Sequence, residues 1–240
     1  MTELLYQTDS YLKEFDAVIT NLDPENHAIT LDRSAFYPGG GGQPNDTGTL
    51  LVEGQMISIE KIKKIGEDVW LFFPPETPLP TSGASVHGVV NWERRYQLMR
   101  THSAMHVLCG VVFRDYDALV TGGNMDPLEG RMDFEFESLS KDLVQIIEDA
   151  VNAEIQKGGE VRVRILPREE AFRIPDLIRT KINLLPPGIS HIRTVEIVGL
   201  DLQADGGTHV RDIKEIGTAR VVDYKSKGKT NKRIYLTLEA

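Results

Sequence analysis

The feature that most constrains the fold is a proline-rich stretch, PPETPLPTSG, at residues 74–83. Its four prolines exclude a regular helix or a central strand there, because proline lacks an amide hydrogen and fixes φ. Segments before it, such as FDAVITNLDPENHAITLD and DVWLFF, have the composition and turn signals of β-strands. One more strand-like run, SVHGVVNW, follows it. The sequence therefore predicts a small antiparallel β-barrel over residues 1–90.

The remainder, residues 91–240, mixes helix and strand patterns. Residues 94–116 have the length and apolar content of a buried helix. Residues 140–157 predict an amphipathic helix with Ser140 as its N-cap and Gly158 as its end. The apolar stripe expected to pack on a sheet consists of Leu143, Ile146, Ile147, Ala150, Val151 and Ile155.

Several strand-like runs accompany these helices: RMDFEFE, EVRVRIL, HIRTVEIV, GTARVVDYK and KRIYLTL. The last two flank a short polar tip and should pair as a hairpin. Helices packed on an antiparallel sheet define the α+β class, which we predict for this part of the chain.

Composition sets broad limits on function. The formal net charge of −9 over 240 residues argues against a protein that coats nucleic acid indiscriminately. The N-terminus lacks the basic start and apolar run of a signal peptide, and no apolar run is long enough to span a membrane. The single cysteine, Cys109, excludes an intrachain disulfide and agrees with a reducing, cytoplasmic setting. Monomer and homodimer both remain open.

The tip of the predicted C-terminal hairpin, KSKGKTNKR, is basic and contains no acidic residue. It is either a solvated turn or a local contact for phosphate groups. Its basic members are Lys225, Lys227, Lys229, Lys232 and Arg233.

Two pairs of candidate metal ligands have the same spacing. His102 and His106 in THSAMH are four residues apart on a predicted helix, so they project from one face about one turn apart. In ADGGTHV, Asp205 and His209 are also four apart, around a Gly206–Gly207 pair typical of a tight loop. Each pair alone is weak evidence for a metal site. Histidines on helices often serve only in packing, and Asp-Gly-Gly often forms only a turn.

Joined in space, the two pairs give three histidines, or three histidines and an aspartate. Three protein ligands and an open position are typical of a catalytic zinc site. Four protein ligands would close the site unless one binds weakly. Position 103 is Ser, so the glutamate base of the His-Glu-x-x-His metalloproteases is absent.

RTHSAMHVL and ADGGTHVR resemble the two metal-binding motifs of the editing domain of alanyl-tRNA synthetase and of its free-standing relatives, the AlaX proteins. GGNMDPLEGRMDFEF is similar to the family's internal strand segment, and FYPGGGGQPNDTG resembles the glycine-rich motif of the longer AlaX proteins. The resemblance covers both halves of the chain. It departs at Asp205, where the family usually has cysteine, so this residue is either a ligand, a partner of one, or neither.

The resemblance implies a trans-editing hydrolase for mischarged tRNA-Ala, carrying serine or glycine, with zinc on His102, His106 and His209. Residues 1–90 would carry the glycine-rich loop and residues 91–240 the editing domain. Thr208, Ser103, Gly206 and Gly207 would contact the substrate beside the metal, and Arg211 and the basic tip would contact tRNA phosphates. Gly39, Gly40, Gly41, Gly42 and Gln43 would form a loop against the bound aminoacyl group, with Tyr37 and Asn45 beside it.

Two other interpretations remain open at this point. One is a non-catalytic RNA-binding module that kept the editing fold and lost full metal binding at Asp205. The other is a metal-dependent hydrolase of a small ester or amide, which would leave the basic tip without a role.

Overall fold

In the computed structural model, which describes residues 1–181, 185 and 188–239, the chain divides into two compact units, Met1–Tyr96 and Gln97–Ala240. The division falls within the first helix, α1 (Trp92–Tyr116). The roles expected for residues 1–90 and 91–240 stay predictions.

The first unit is built on antiparallel strands, as predicted. The strands are β1 (Glu3–Leu4), β2 (Glu14–Asp23), β3 (Ala28–Leu31), β4 (Arg33–Ser34), β5 (Gly48–Val52), β6 (Gln55–Ile59), β7 (Lys61–Ile65), β8 (Asp68–Phe72) and β9 (Ser85–Val90). Seven of them form one curled sheet in the order β6-β5-β9-β2-β3-β8-β7, and β1 and β4 form a short parallel pair. Closure of the sheet into a barrel stays a prediction.

The long strand β2 lets this sheet curl. Its first half pairs with β9 and its second half with β3, and the register shifts between Ile19 and Asn21. Such a bulge bends a strand and increases its twist. Alternate residues of β2, including Phe15 and Ala17, face a buried apolar core. The alternation along the first half of β2 therefore places one face of the strand against the core.

The second unit has the predicted α+β composition. After α1, the elements of this unit are β10 (Val120–Asp126), β11 (Glu129–Glu135), α2 (Lys141–Lys157), β12 (Val161–Pro167), α3 (Arg168–Ala171), β13 (His191–Ile197), β14 (Asp201–Ala204), β15 (Ala219–Ser226) and β16 (Asn231–Leu238). One antiparallel sheet has the strand order β10-β11-β16-β15, and another has the order β12-β13-β14. The hairpin predicted around the basic tip is β15–β16. Strand β14, which has only four residues, was not predicted. Strand β10 overlaps the segment GGNMDPLEGRMDFEF, which the resemblance indicated as a strand region.

Helix α2 confirms the predicted caps but corrects the predicted stripe. The Ser140 hydroxyl accepts a hydrogen bond from the amide of Leu143, and Gly158 ends the helix with φ of 78°. The buried residues are Val144, Ile147, Val151 and Ile155. The expected Ile146 is instead 57% exposed. At 100° per residue it lies on the opposite face of the helix from Val144 and Val151.

Side chains of α2 also bond to the edge strand β15. Asn152 donates to the carbonyl of Ala219 and accepts from its amide, at 2.8 and 3.0 Å. The carboxylate of Glu148 accepts from the amide of Val221 at 2.6 Å. None of the helices in residues 1–181, 185 and 188–239 has the length and apolar character needed to cross a membrane.

Candidate metal centre

The two predicted ligand pairs meet in the second unit. Helix α1 supplies His102 and His106, and the turn after β14 supplies Asp205 and His209. One potential ligand atom from each of the four lies within 4.8 Å of the others. The three histidines are 4–5% exposed.

The carboxylate of Asp205 lies among the three imidazoles. Its Oδ1 is 3.5 Å from Nε2 of His102 and 4.0 Å from Nε2 of His106. Its Oδ2 is 3.0 Å from Nε2 of His209. All three Nε2 atoms are therefore close to this carboxylate, which places Asp205 in the cluster.

These separations fit a small divalent cation. Ligands about 2.0–2.1 Å from a tetrahedral zinc ion lie about 3.4 Å from one another, which is within the range observed. Imidazole nitrogens and a carboxylate oxygen are ligands that zinc and its first-row neighbours accept. The donor set and its spacing thus suit a metal ion.

A tight turn positions Asp205. Its Oδ2 accepts a hydrogen bond from the amide of Gly207 at 2.7 Å, the pattern of an Asx-turn, which brings the chain round to His209. Its own amide donates to the carbonyl of Arg193 at 3.1 Å. Gly206 is exposed, and a Cβ placed on it would meet no atom within 4 Å. Thr208 is fully buried.

Ser103 lies beside the cluster. It is fully buried, its Oγ lies 3.2 Å from Nδ1 of His209, and it accepts from the amide of Val210 at 3.2 Å. The hydroxyl therefore holds the ring of His209 and the turn beside it, and its predicted contact with the substrate stays a prediction. No sequence pattern indicates this contact, because it joins residues more than a hundred positions apart.

Arg193, on β13, also lies beside the cluster and was not predicted. Its Nη1 donates to the carbonyl of Asp205 at 3.0 Å and is 3.7 Å from the Oδ2 of that residue. The side chain is only 5% exposed. The one sequence signal was a charged residue in a strand-like apolar run. A buried guanidinium here stabilises the ionised form of Asp205.

Burial and proximity set the charges of the cluster. Burial lowers the pKa of His209 to about 4 and holds the pKa of His102 well below its ordinary value. Burial opposes ionisation of Asp205, but its contact with His102 and its hydrogen bond with His209 outweigh burial and hold the pKa of Asp205 well below its usual range. At neutral pH these two imidazoles are neutral and Asp205 is charged, which are the forms that bind a cation.

The glycine-rich segment of the first unit is an ordered turn. The amide of Gly40 donates to the carbonyl of Gln43 at 3.0 Å, and the amide of Gln43 donates back at 2.9 Å. Gly41 and Gly42 between them have φ of 56° and 87°, as the central residues of a type I′ turn require. Gly39, with φ of 87°, enters the turn. The segment is thus a defined hairpin turn and not a linker.

Buried polar groups hold the base of this turn. The Tyr37 hydroxyl donates to the carbonyl of Gly40 at 2.9 Å, and the Asn45 amide group donates to the carbonyl of Asp46 at 2.6 Å. Asp46 forms a fully buried ion pair with Arg95. The side chain of Gln43 is 2% exposed. Tyr37 and Asn45 thus form hydrogen bonds within the turn itself, and the polar contacts with a ligand that were predicted for them stay predictions.

The basic tip divides into two groups. Lys232 is 6% exposed, and its Nζ donates to the carbonyls of Gly228 and Lys229 at 2.8 and 2.9 Å. Arg233 makes a two-pronged pair with Asp133 at 2.6 and 2.8 Å. These two side chains support the hairpin, and their predicted contact with phosphate stays a prediction.

Three other basic residues at this end stay exposed. Lys225 pairs with Asp223 at 2.9 Å, and Lys227 and Lys229 lie at the turn. Arg211, in a different loop, is exposed as well. A contact of these four with RNA stays a prediction.

Known proteins resemble both parts of the chain. Residues 192–235 match the family described as the threonyl and alanyl tRNA synthetase second additional domain. Residues 7–94 match the family described as class II (A) tRNA synthetases. The alanine–tRNA ligase of Pyrococcus furiosus is 34% identical over 224 residues, which cover 92% of this chain and 24% of the ligase.

Full-length relatives are shorter proteins with a common name. The alanyl-tRNA editing protein AlaX-M of Saccharolobus solfataricus is 41% identical over 240 residues, covering 100% of both chains. The protein of the same name from Methanosarcina acetivorans is 34% identical over 244 residues, covering 99% of each. Because the identity extends over both compact units, the chain belongs to the AlaX-M family of alanyl-tRNA editing proteins.

Proposed function

We propose that the protein is an aminoacyl-tRNA deacylase that acts in trans on mischarged tRNA-Ala. It would hydrolyse the ester between the terminal ribose and a wrong amino acid, serine first and glycine second. The observation that carries this proposal is the buried cluster of three histidines and Asp205. The names of the full-length relatives support the tRNA partner.

Physical chemistry gives a reason for such an activity. An activation site that accepts alanine cannot strongly reject glycine, which is only smaller, and an apolar pocket rejects an added hydroxyl poorly. A second site that removes the wrong product restores accuracy. The substrate would be met where aminoacyl-tRNA is made, in the cytoplasm.

We propose zinc as the metal, held by His102, His106 and His209, with Asp205 as a fourth, weaker ligand. Zinc supplies Lewis-acid chemistry, which polarises an ester carbonyl or lowers the pKa of a water molecule. The protein's own part is to present three imidazoles and one carboxylate at fixed positions, mostly shielded from solvent. Ser103 and Arg193 contribute by holding His209 and Asp205 in place.

We propose that the aminoacyl group approaches the cluster from the side on which Gly206 lies. It is the exposed residue next to Asp205, and it leaves open space where a side chain would stand. Gly207 and Thr208 follow it in the turn and complete the proposed contact surface. The glycine-rich turn, Gly39–Gly42 with Gln43, remains our second predicted contact to the substrate.

For the tRNA we propose phosphate contacts at Arg211, Lys225, Lys227 and Lys229. The chain as a whole is acidic, with a net charge of −9, so attraction to a polyanion has to be local. Lys232 and Arg233 are left out, because their charged groups bond within the hairpin.

The assembled ligand set favours a hydrolase over a non-catalytic RNA-binding module, since a binder does not need buried, converging imidazoles. Single-turnover hydrolysis of Ser-tRNA-Ala and Ala-tRNA-Ala tests the choice, together with elemental analysis of the purified protein. We expect one zinc ion per chain and faster hydrolysis of the seryl ester.

The matched pair of variants is His209→Ala and His191→Ala. His191 is an exposed histidine of the same unit, with Nδ1 close to the hydroxyl of its neighbour Ser190. His209→Ala should lose zinc and activity, and His191→Ala should keep both. A wild-type protein that leaves Ser-tRNA-Ala intact while binding tRNA would establish the non-catalytic alternative.

A further inference from the structure

Asp201 is a buried carboxylate that the proposed mechanism does not use. It begins β14, and its side chain has no solvent exposure. Its Oδ2 lies 3.3 Å from Nδ1 of His106, the ring nitrogen that points away from the metal cluster. The contact has the distance of a hydrogen bond but not its alignment, so Asp201 contributes chiefly its charge.

Two side chains hold this carboxylate in one orientation. Gln203 donates from Nε2 to Oδ2 at 2.6 Å, and Nε of Arg179 lies 3.3 Å from Oδ1. Arg179 is itself fixed, with its guanidinium 3.8 Å from the centre of the Phe113 ring and Nη1 donating to the carbonyl of Asp176. A buried carboxylate with such partners is costly to move.

A carboxylate beside one ring nitrogen decides which tautomer a neutral histidine adopts. The single proton goes to the nitrogen that faces the negative charge, and the lone pair is left on the other nitrogen. His106 faces a carboxylate on both sides, and that of Asp201, 3.3 Å from Nδ1, is nearer than that of Asp205, 4.0 Å from Nε2. The nearer carboxylate favours the proton on Nδ1 and leaves the lone pair on Nε2. Only that tautomer presents the lone pair of Nε2, which can bind a metal ion, to the cluster.

We propose that Asp201 is the positioning residue of the metal centre, which fixes the tautomer and orientation of His106 and so sets the affinity of the cluster for zinc. This inference rests on the proposed zinc site. Partners of this kind typically change metal affinity by about 10–100-fold when they are removed.

The test compares Asp201→Asn with Asp133→Asn. Asp133 is also a mostly buried carboxylate of the second unit paired with an arginine, Arg233, so its substitution matches the loss of charge and of an ion pair. Zinc affinity of the full chain is measured by competition with a chromophoric chelator. We expect Asp201→Asn to bind zinc about 10–100-fold more weakly than wild type, and Asp133→Asn within about twofold of it.

A second measurement reports the tautomer without any metal. Long-range ¹H–¹⁵N spectra of the zinc-free protein at pH 8 should show His106 protonated at Nδ1 in the wild type and in Asp133→Asn. In Asp201→Asn they should show a mixture of tautomers. A substitution that only loosens the fold would not change the tautomer of one ring selectively.

If Asp201→Asn does not fold, Arg179→Lys replaces it, because lysine keeps the charge but loses the guanidinium contact to Oδ1. A weakening of zinc binding by at least about threefold is then expected. Affinity and tautomer equal to those of wild type in the folded variant would overturn the proposal. A wild-type protein without zinc affinity would instead overturn the metal site itself, and this inference with it.

Discussion

At the scale of single residues, Asp205 has two separable roles. Its carboxylate lies among three imidazole nitrogens, and the same group accepts the amide hydrogen of Gly207 that shapes the turn. Any substitution therefore alters either the charge in the cluster, the turn, or both.

We predict that Asp205→Asn keeps the turn, because an amide oxygen accepts the Gly207 hydrogen bond, but weakens zinc binding by roughly tenfold through loss of charge. Asp205→Cys should retain or increase zinc content, since a thiolate is the softer and stronger ligand. Elemental analysis and chelator competition measure both. Loss of zinc in Asp205→Cys would mean that this position does not serve the metal.

At the scale of elements, α2 allows a test of which side of the helix is buried against the rest of its unit. Ile147 is fully buried, whereas Ile146, its neighbour in sequence, is 57% exposed. Ile147→Ala should lower the free energy of unfolding by about 2–4 kcal/mol, because it removes buried methyl groups and leaves a cavity. Ile146→Ala should change it by less than about 0.5 kcal/mol. Urea denaturation compares the two, and equal effects would contradict the assignment of the buried face.

The glycine-rich turn is the second element with a testable role. Gly41 has φ of 56°, and a Cβ placed on it would meet no atom within 4 Å, so substitution there meets backbone strain but no clash. Gly41→Asn, which tolerates this region, should leave the melting temperature nearly unchanged, whereas Gly41→Val should lower it. If the turn contacts the aminoacyl group, Gly41→Asn should also slow single-turnover deacylation. Wild-type rates in that variant would remove the turn from the substrate site.

At the scale of the whole molecule, binding of tRNA by an acidic protein depends on where its accessible cations lie. Replacing Lys227 and Lys229 together by Ala should reduce the slope of log affinity against log salt by about 1.5, because two phosphate contacts and their counterions are lost. Affinity for any tRNA should fall, with zinc content unchanged.

The control is the double variant Lys63→Ala and Lys64→Ala. It removes the same two charges from exposed positions on β7. This control should keep the wild-type salt slope. Equal slopes in the two double variants would show that only net charge matters and that the tip is a solvated turn.

The sequence by itself determined the features that depend on local spacing. Residues four apart on a helix or across a glycine turn share a side, so spacing alone predicted two ligand pairs, His102 with His106 and Asp205 with His209. That the pairs meet was expected from the resemblance to the editing family, which left the role of Asp205 open. The Ser140 and Gly158 caps and the β15–β16 hairpin follow from equally local rules.

Only the tertiary structure decided which groups support those ligands. Asp201 meets His106, Ser103 meets His209, and Arg193 meets Asp205 through packing between distant segments, for which sequence spacing carries no information. The same holds for Lys232, whose ammonium group bonds to carbonyls of the hairpin tip, a contact that the sequence did not indicate. Local geometry follows from the order of residues, whereas burial and pairing depend on how the elements pack.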